Sequence, residues 1–117
     1  AAQGEVYVAR GDTLVIAGTP VRLLGVDLPQ GRSAAAEDAR REVQQIVADS
    51  FVACRLTGET QSNQMLGTCT ADGTDIGAEL VARGLALDCA RWSQGRYRAL
   101  EPEGSRERLP ASRDCGN

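Results

Sequence analysis

Four cysteines constrain the fold of this chain more than any other residue type. They lie at Cys54, Cys69, Cys89 and Cys115, none of them belongs to a CxxC pair, and the chain contains no histidine. This pattern disfavours a structural zinc site, which is normally built from closely spaced cysteines completed by cysteine or histidine. Two disulfides are expected instead, with three possible connectivities. Disulfides are typical of oxidising compartments.

The pairing of neighbours in the sequence is the simplest of the three connectivities. Cys54 and Cys69 flank a stretch rich in turn residues and could face each other across a hairpin. A Cys89–Cys115 bridge would tether the polar segment 101–117 to the rest of a single domain, residues 1–117. By loop-closure entropy, each bridge would contribute about 3 kcal/mol to stability.

Composition and charge exclude several classes of function. All 13 basic residues are arginine, so catalysis that requires lysine or histidine is impossible. The net charge is −3, so we expect weak or no binding to nucleic acid. No apolar run is long enough to span a bilayer, and we expect a monomer that does not bind membranes and whose partner is unknown. The start of the chain, Ala1-Ala2-Gln3, predicts a periplasmic or secreted protein whose signal peptide has been removed.

Hydrophobic periodicity predicts a mainly β fold with added helices. Short β-branched runs separated by turns predict a meander of three strands, and a three- to four-residue spacing then predicts an amphipathic helix. Two further strands and a second helix follow, and Pro102 limits any third helix to one or two turns. The strands are predicted at 5–9, 13–17, 21–26, 51–56 and 66–70, with a loop at 58–63. The first helix is predicted from Ser33 to about Asp49, and the second between a turn at 71–73 and a stop at Gly84. This α+β order predicts a five-stranded OB-fold barrel with two to three packed helices.

Two aspartates and an arginine are the first candidates for chemistry. Asp12 lies at a strand-to-strand turn, while Arg22 and Asp27 interrupt an otherwise apolar strand. If the meander brings Asp12 beside Asp27, the two carboxylates would need a cation or an arginine between them, and hard oxygen ligands suit Ca²⁺. The alternatives are that Asp12 only bonds local backbone N–H groups and that Asp27 and Arg22 form a structural ion pair.

Several motifs resemble the staphylococcal nuclease (thermonuclease) family. They are Gly11-Asp12-Thr13-Leu14-Val15-Ile16, Val21-Arg22-Leu23-Leu24-Gly25-Val26-Asp27-Leu28-Pro29, Ala71-Asp72-Gly73, and Leu80-Val81-Ala82-Arg83-Gly84-Leu85-Ala86. The resemblance covers about residues 5–100, and the cysteine-bearing end is similar to that of short secreted bacterial members. It implies an OB-fold, in agreement with the predicted element order.

The resemblance also implies a site that has lost part of its chemistry. Calcium would be held by Asp12, Asp27 and the Leu28 carbonyl, and Arg22 would be the first phosphate-binding arginine. The position of the family's general base carries Gln30. An amide cannot take a proton from water, and general base catalysis typically contributes 10²–10⁴-fold.

The position of the family's second arginine carries a further neutral residue, Gln64. Loss of that charge removes a contribution of about 10³–10⁵ in related phosphoryl transfer. The sequence therefore predicts a nuclease-like domain that is inactive or severely impaired and that could keep a Ca²⁺-, phosphate- or partner-binding role. The alternatives are a weak Ca²⁺-dependent nuclease in which Arg10 or Arg32 replaces the missing arginine, and a purely structural interaction module.

Two aromatic residues near the C-terminus complete the candidates. Trp92 and Tyr97 are expected to anchor the C-terminal segment on the barrel. A nucleic-acid patch formed with Arg91, Arg96 and Arg98 is the alternative, although nearby acidic residues offset that charge.

Overall fold

The computed structural model describes residues 2, 3 and 5–116 as a mixed α+β structure. The strands are β1 (Ala2–Gln3), β2 (Val6–Arg10), β3 (Thr13–Ile16), β4 (Thr19–Leu23), β5 (Val26–Asp27), β6 (Val52–Gln61), β7 (Gln64–Ala71), β8 (Thr74–Asp75) and β9 (Leu87–Asp88). The helices are α1 (Ala34–Val47), α2 (Ile76–Ala82), α3 (Ala90–Ser93) and α4 (Ser105–Arg108), and 3₁₀ turns cover Arg98–Leu100 and Arg113–Cys115. No helix within the described ranges is both long and apolar enough to cross a bilayer.

Seven strands form one sheet in the order β1-β6-β7-β4-β3-β2, with β8 pairing with β7. All pairs in this sheet are antiparallel except β4 and β7. The predicted three-strand meander is confirmed as β2-β3-β4. The third strand is shorter than predicted, because Gly25 adopts a left-handed backbone with φ of 85° after β4 has ended. Val26 and Asp27 belong to β5 and pair with β9 in a separate two-stranded sheet.

The hairpin between β6 and β7 corrects the prediction of a loop at 58–63. Both strands continue to Gln61 and Gln64, so only Ser62 and Asn63 form the turn. Their φ angles are 51° and 65°, the positive values that a type I′ hairpin turn requires at both positions. Gly58 lies instead at a register shift within the strand pair. Gln64 is therefore the first residue of a strand rather than part of a loop.

The helices pack on the sheet through their apolar faces. The predicted helix start is confirmed, since the Ser33 side chain caps α1 by accepting a hydrogen bond from the Ala36 N–H at 3.1 Å. Helix α1 buries Ala39 and Val43 and packs against β2. Helix α2 contributes Ile76, Leu80 and Val81, which join Leu14, Ile16 and Val21 of the meander in one core. Burial of a side chain of this size contributes about 1.5–3 kcal/mol.

Both predicted disulfides are confirmed. Cys54 and Cys69 lie directly opposite each other on β6 and β7, and both are buried in the core. Cys89, which precedes α3, is bonded to Cys115 at the end of the chain. The C-terminal segment is thus covalently tethered, as the sequence predicted, and two disulfides are typical of a protein from an oxidising compartment.

A buried polar network supports the start of this C-terminal segment. Tyr97 is only 3% exposed, which confirms the prediction that it anchors the segment. Its hydroxyl donates to Asp75 Oδ2 at 2.7 Å, and burial together with this bond raises the pKa of the phenol. Glu101 accepts from the Asp88 N–H at 2.8 Å and from Arg106 at 2.8 and 2.9 Å. Burial opposes ionisation of Glu101, but these hydrogen bonds and the charges of Arg106 and Arg98 outweigh it and lower its pKa.

Replacing Glu101 with glutamine should lower the free energy of unfolding at pH 7 by about 1–3 kcal/mol, because charge-assisted hydrogen bonds are lost. A carboxyl whose pKa is lower in the folded state stabilises the fold above its unfolded pKa of about 4.3, and the stabilisation disappears as the pH falls through the folded pKa. Urea unfolding of both proteins from pH 7 to pH 3 should show the difference shrinking at the acid end. Glu103→Gln, at an exposed position, is the control. A difference that is constant with pH would contradict this role of Glu101.

Candidate functional site

A cleft of about 220 Å³, here called the main cleft, lies between β4, β5, the end of β6 and the C-terminal segment. Polar side chains from these separate elements line it, including Arg22, Asp27, Gln30 and Gln61. Trp92 of α3 and Ser112 near the C-terminus complete its wall. The sheet and the Cys89–Cys115 disulfide therefore bring together residues from both ends of the chain.

Asp12 is a buried acid at the turn between β2 and β3, with 5% of its surface exposed. Its Oδ1 accepts from the Thr13 hydroxyl at 2.9 Å, and its Oδ2 accepts from the Gln30 amide at 3.1 Å. Arg22 Nε lies 3.9 Å from the same Oδ2. Asp12 therefore does more than bond its local backbone, because it joins the meander turn to β4 and to the segment after β5.

Gln30 connects two of the oxygen atoms that the sequence predicted to be calcium ligands. Its Nε2 donates to Asp12 Oδ2 at 3.1 Å and to the main-chain carbonyl of Leu28 at 3.0 Å. A side-chain amide nitrogen carries two N–H donors, so both are used in these two bonds. The partial positive charge of an NH₂ group thus lies between these two oxygen atoms.

Asp27 is held differently. It is 7% exposed, and its Oδ2 accepts from the main-chain N–H of Ser112 at 2.8 Å, across 85 residues of sequence. Asp27 lines the main cleft, whereas Asp12 lines a second cleft of about 430 Å³ together with Arg10 and Arg32. Gln30 lines both clefts. The two acids therefore lie on either side of Gln30 rather than around one common opening.

The arginine and the second glutamine predicted from the sequence lie on neighbouring strands. Arg22 on β4 is paired in register with Leu66 on the parallel strand β7, and its Nη1 donates to Gln61 Oε1 at 3.4 Å. Gln64 donates from Nε2 to the Thr13 hydroxyl at 3.3 Å, and that hydroxyl in turn donates to Asp12. The Thr13 hydroxyl therefore connects Gln64 to Asp12 through two successive hydrogen bonds.

As arranged here, these residues do not fit a bound Ca²⁺. Calcium takes six to eight oxygen ligands at 2.3–2.6 Å. Asp12 Oδ2 and the Leu28 carbonyl are oxygen donors, but both are already bonded to the Gln30 N–H groups, and Asp27 accepts an N–H from Ser112. Nowhere in residues 5–116 do three or more acidic, cysteine or histidine side chains form a group able to hold a metal.

Two residues that line the main cleft, Gln61 and Ser112, were not found by sequence reasoning, and a third, Trp92, was expected to have another role. Gln61 was assigned to a loop, although its place beside the two-residue turn puts it opposite Gln64. Trp92 was expected to anchor the C-terminal segment, but it is 36% exposed and lines the main cleft, with the Arg91 guanidinium 5.5 Å from its ring centre. Ser112 carries no sequence signal for its contact with Asp27. The predicted Cys89–Cys115 bridge was the one indication that this segment returns to β5 and β9.

Comparison with known proteins gives a distant similarity. No protein-family model matches the chain. The chain is 27% identical over 110 residues to the succinoglycan biosynthesis protein ExoI of Rhizobium meliloti, a similarity that covers 84% of this chain. It spans 58% of the length of that relative.

Asp12→Ala should lower the free energy of unfolding by about 1–3 kcal/mol, because the buried Thr13 hydroxyl and the Gln30 amide would lose their acceptor. Urea unfolding at pH 7 measures this loss. Asp38→Ala removes an exposed acid on α1 and should change stability by less than about 0.5 kcal/mol. Equal effects of the two substitutions would contradict the bridging role of Asp12.

Proposed function

We propose that this chain is a nuclease-like domain without phosphodiesterase activity, whose main cleft binds a ligand but does not cleave it. The observation that carries the proposal is the Gln30 amide, which bonds Asp12 and the Leu28 carbonyl where the resemblance implies a cation. An NH₂ group whose two N–H donors are bonded to Asp12 and Leu28 supplies neither the full positive charge of a cation nor a base that removes a proton from water.

The sheet topology supports an OB-fold origin for the domain. Strands β1 and β2 lie at the two ends of the strand order, β1 paired with β6 and β2 paired with β3. Only two residues separate β1 from β2 in the chain. If the two are counted as one strand, this strand and β6, β7, β4 and β3 would follow one another in the order of a small Greek-key barrel.

The contacts of Arg22 and Gln64 also favour loss of catalysis. Phosphodiester hydrolysis needs positive groups that are free to meet the charge developing on phosphate. The Arg22 guanidinium lies beside Asp12 and donates to Gln61, and Gln64 carries no charge. Arg10 and Arg32 line the second cleft rather than the main cleft, so neither replaces the missing arginine beside Arg22.

A second candidate function is saccharide binding in the biosynthesis of a polysaccharide. The relative whose name refers to succinoglycan biosynthesis favours it. The main cleft also favours it, because an aromatic ring, Trp92, lies beside amide and charged side chains that can bond hydroxyl groups. Calorimetric titration with acidic and neutral oligosaccharides tests this candidate. Trp92→Ala should abolish any heat of binding, and Phe51→Ala, at another exposed aromatic residue, should leave it unchanged.

The purified chain should not cleave single-stranded DNA in the presence of Ca²⁺. Gln30→Glu replaces the bridging NH₂ with an oxygen, so it should create a cation site that the native chain lacks. Terbium is a trivalent ion that also prefers oxygen ligands. Its binding at the new site can be measured by luminescence, because Trp92 in the main cleft can sensitise its emission. We expect sensitised emission from Gln30→Glu and none from the native chain.

Gln44→Glu adds the same charge at an exposed position on α1 and is the matched control. Terbium emission from this control would mean that added charge alone binds the ion. DNA cleavage by the native chain that is abolished by a chelator would overturn the proposal, as would native emission equal to that of Gln30→Glu.

A further inference from the structure

The last part of the chain forms one wall of the main cleft. Residues 109–116, here called the strap, follow α4 and include the 3₁₀ turn Arg113–Cys115. Ser112, Asp114 and Cys115 line the main cleft opposite Arg22 and Gln30. Access to the cleft from this side therefore depends on where the strap lies.

Two attachments connect the strap to the cleft. Cys115 is disulfide-bonded to Cys89, and the Ser112 N–H donates to Asp27 Oδ2 at 2.8 Å. Most of the remaining strap residues are exposed to solvent, namely Pro110, Ala111, Arg113, Asp114 and Gly116. A segment with little buried apolar surface opens at low free-energy cost once its attachments are removed.

The two disulfides differ in what must open before a reductant can reach them. Cys54 and Cys69 lie within the longest strand pair and are 1% and 0% exposed, so their reduction requires the central hairpin to separate. Cys115 is also buried, at 6% exposed, but it lies at the end of the strap, whose lifting disturbs no strand pairing. Reduction should therefore begin at Cys89–Cys115.

We propose that the strap is a redox-released cover that closes one side of the main cleft through the Ser112–Asp27 bond. This inference rests on the proposed function only in taking the main cleft to be a ligand-binding site. The movement of the strap does not depend on that function. In the releasing step, a dithiol transfers two electrons and two protons to the Cys89–Cys115 disulfide. The S–S bond is replaced by two thiols, and the dithiol becomes a disulfide. Asp27 then loses the Ser112 donor, and the cleft opens on the side of Trp92.

Ser112→Pro and Ser112→Ala form a matched pair that isolates the bond to Asp27. Both remove the hydroxyl, which accepts from the Asp114 N–H, but only proline also removes the N–H that Asp27 accepts. Proline fits the backbone here, because the φ angle of Ser112 is −84°. Circular dichroism of both variants checks that the fold is kept.

Acrylamide quenching of Trp92 fluorescence reports the strap position, since the chain contains one tryptophan. Relative to the native chain, the quenching constant should rise about twofold in Ser112→Pro and after partial reduction with a dithiol, and it should not change in Ser112→Ala. Alkylation and mass spectrometry after partial reduction should find Cys89 and Cys115 labelled before Cys54 and Cys69. Equal quenching in the two variants, or earlier labelling of Cys54 and Cys69, would overturn the inference.

Terbium titration separates this inference from the proposed function. In the Gln30→Glu background, Ser112→Pro should bind terbium about tenfold more tightly than Ser112→Ala, because one donor no longer competes for Asp27. If Gln30→Glu binds no terbium with the strap open or closed, while Trp92 quenching follows the strap, the proposed function fails and the strap inference stands. If terbium binds but quenching is the same in all strap variants, the strap inference fails alone.

Discussion

The side-chain amide of an exposed residue joins a buried carboxylate to a main-chain carbonyl beside the meander turn. Gln30 donates to Asp12 Oδ2 and to the Leu28 carbonyl, so its two N–H groups satisfy oxygen atoms on two separate elements. Asp12 in turn bonds Thr13 and pairs with Arg22. The polar side of the meander is thereby stabilised by internal hydrogen bonds and by the pairing of Asp12 with Arg22.

The sheet makes this arrangement possible. The antiparallel meander places Thr13 opposite Arg22, and the parallel pairing of β4 with β7 brings Gln61 and Gln64 to the same region. Since strands position side chains more rigidly than loops do, the contacts around Asp12 depend on strand register as much as on residue type. Two glutamines at the ends of one tight hairpin therefore supply neutral hydrogen-bonding groups beside the arginine and the acid.

Much of the fold was predictable because it depends on local signals. The meander, the capped helix beginning after Ser33 and the Cys54–Cys69 pair follow from periodicity, capping and spacing. The prediction of the hairpin end was wrong because Gly58 was counted with Ser62 and Asn63 as one loop. Gly58 lies instead at a register shift between the paired strands. Turn composition alone does not distinguish a long loop from a bulge that precedes a short turn.

The sequence proposed the members of the candidate site but not the bonds between them. Asp12, Arg22 and Asp27 were proposed from their places at a turn and in an apolar strand, and the resemblance added Gln30. The orientation of the Gln30 amide depends on the tertiary position of Leu28. The contact between Asp27 and Ser112 spans 85 residues, and no local pattern encodes such a pairing.

The side-chain amide resonance of Gln30 provides the most direct test of the account. Its two N–H protons should exchange slowly with solvent, show a hydrogen-bond coupling to the Leu28 carbonyl, and keep their shifts in millimolar Ca²⁺. Fast exchange with no coupling, or a saturable shift with Ca²⁺, would contradict the claim that this amide takes the place of a cation.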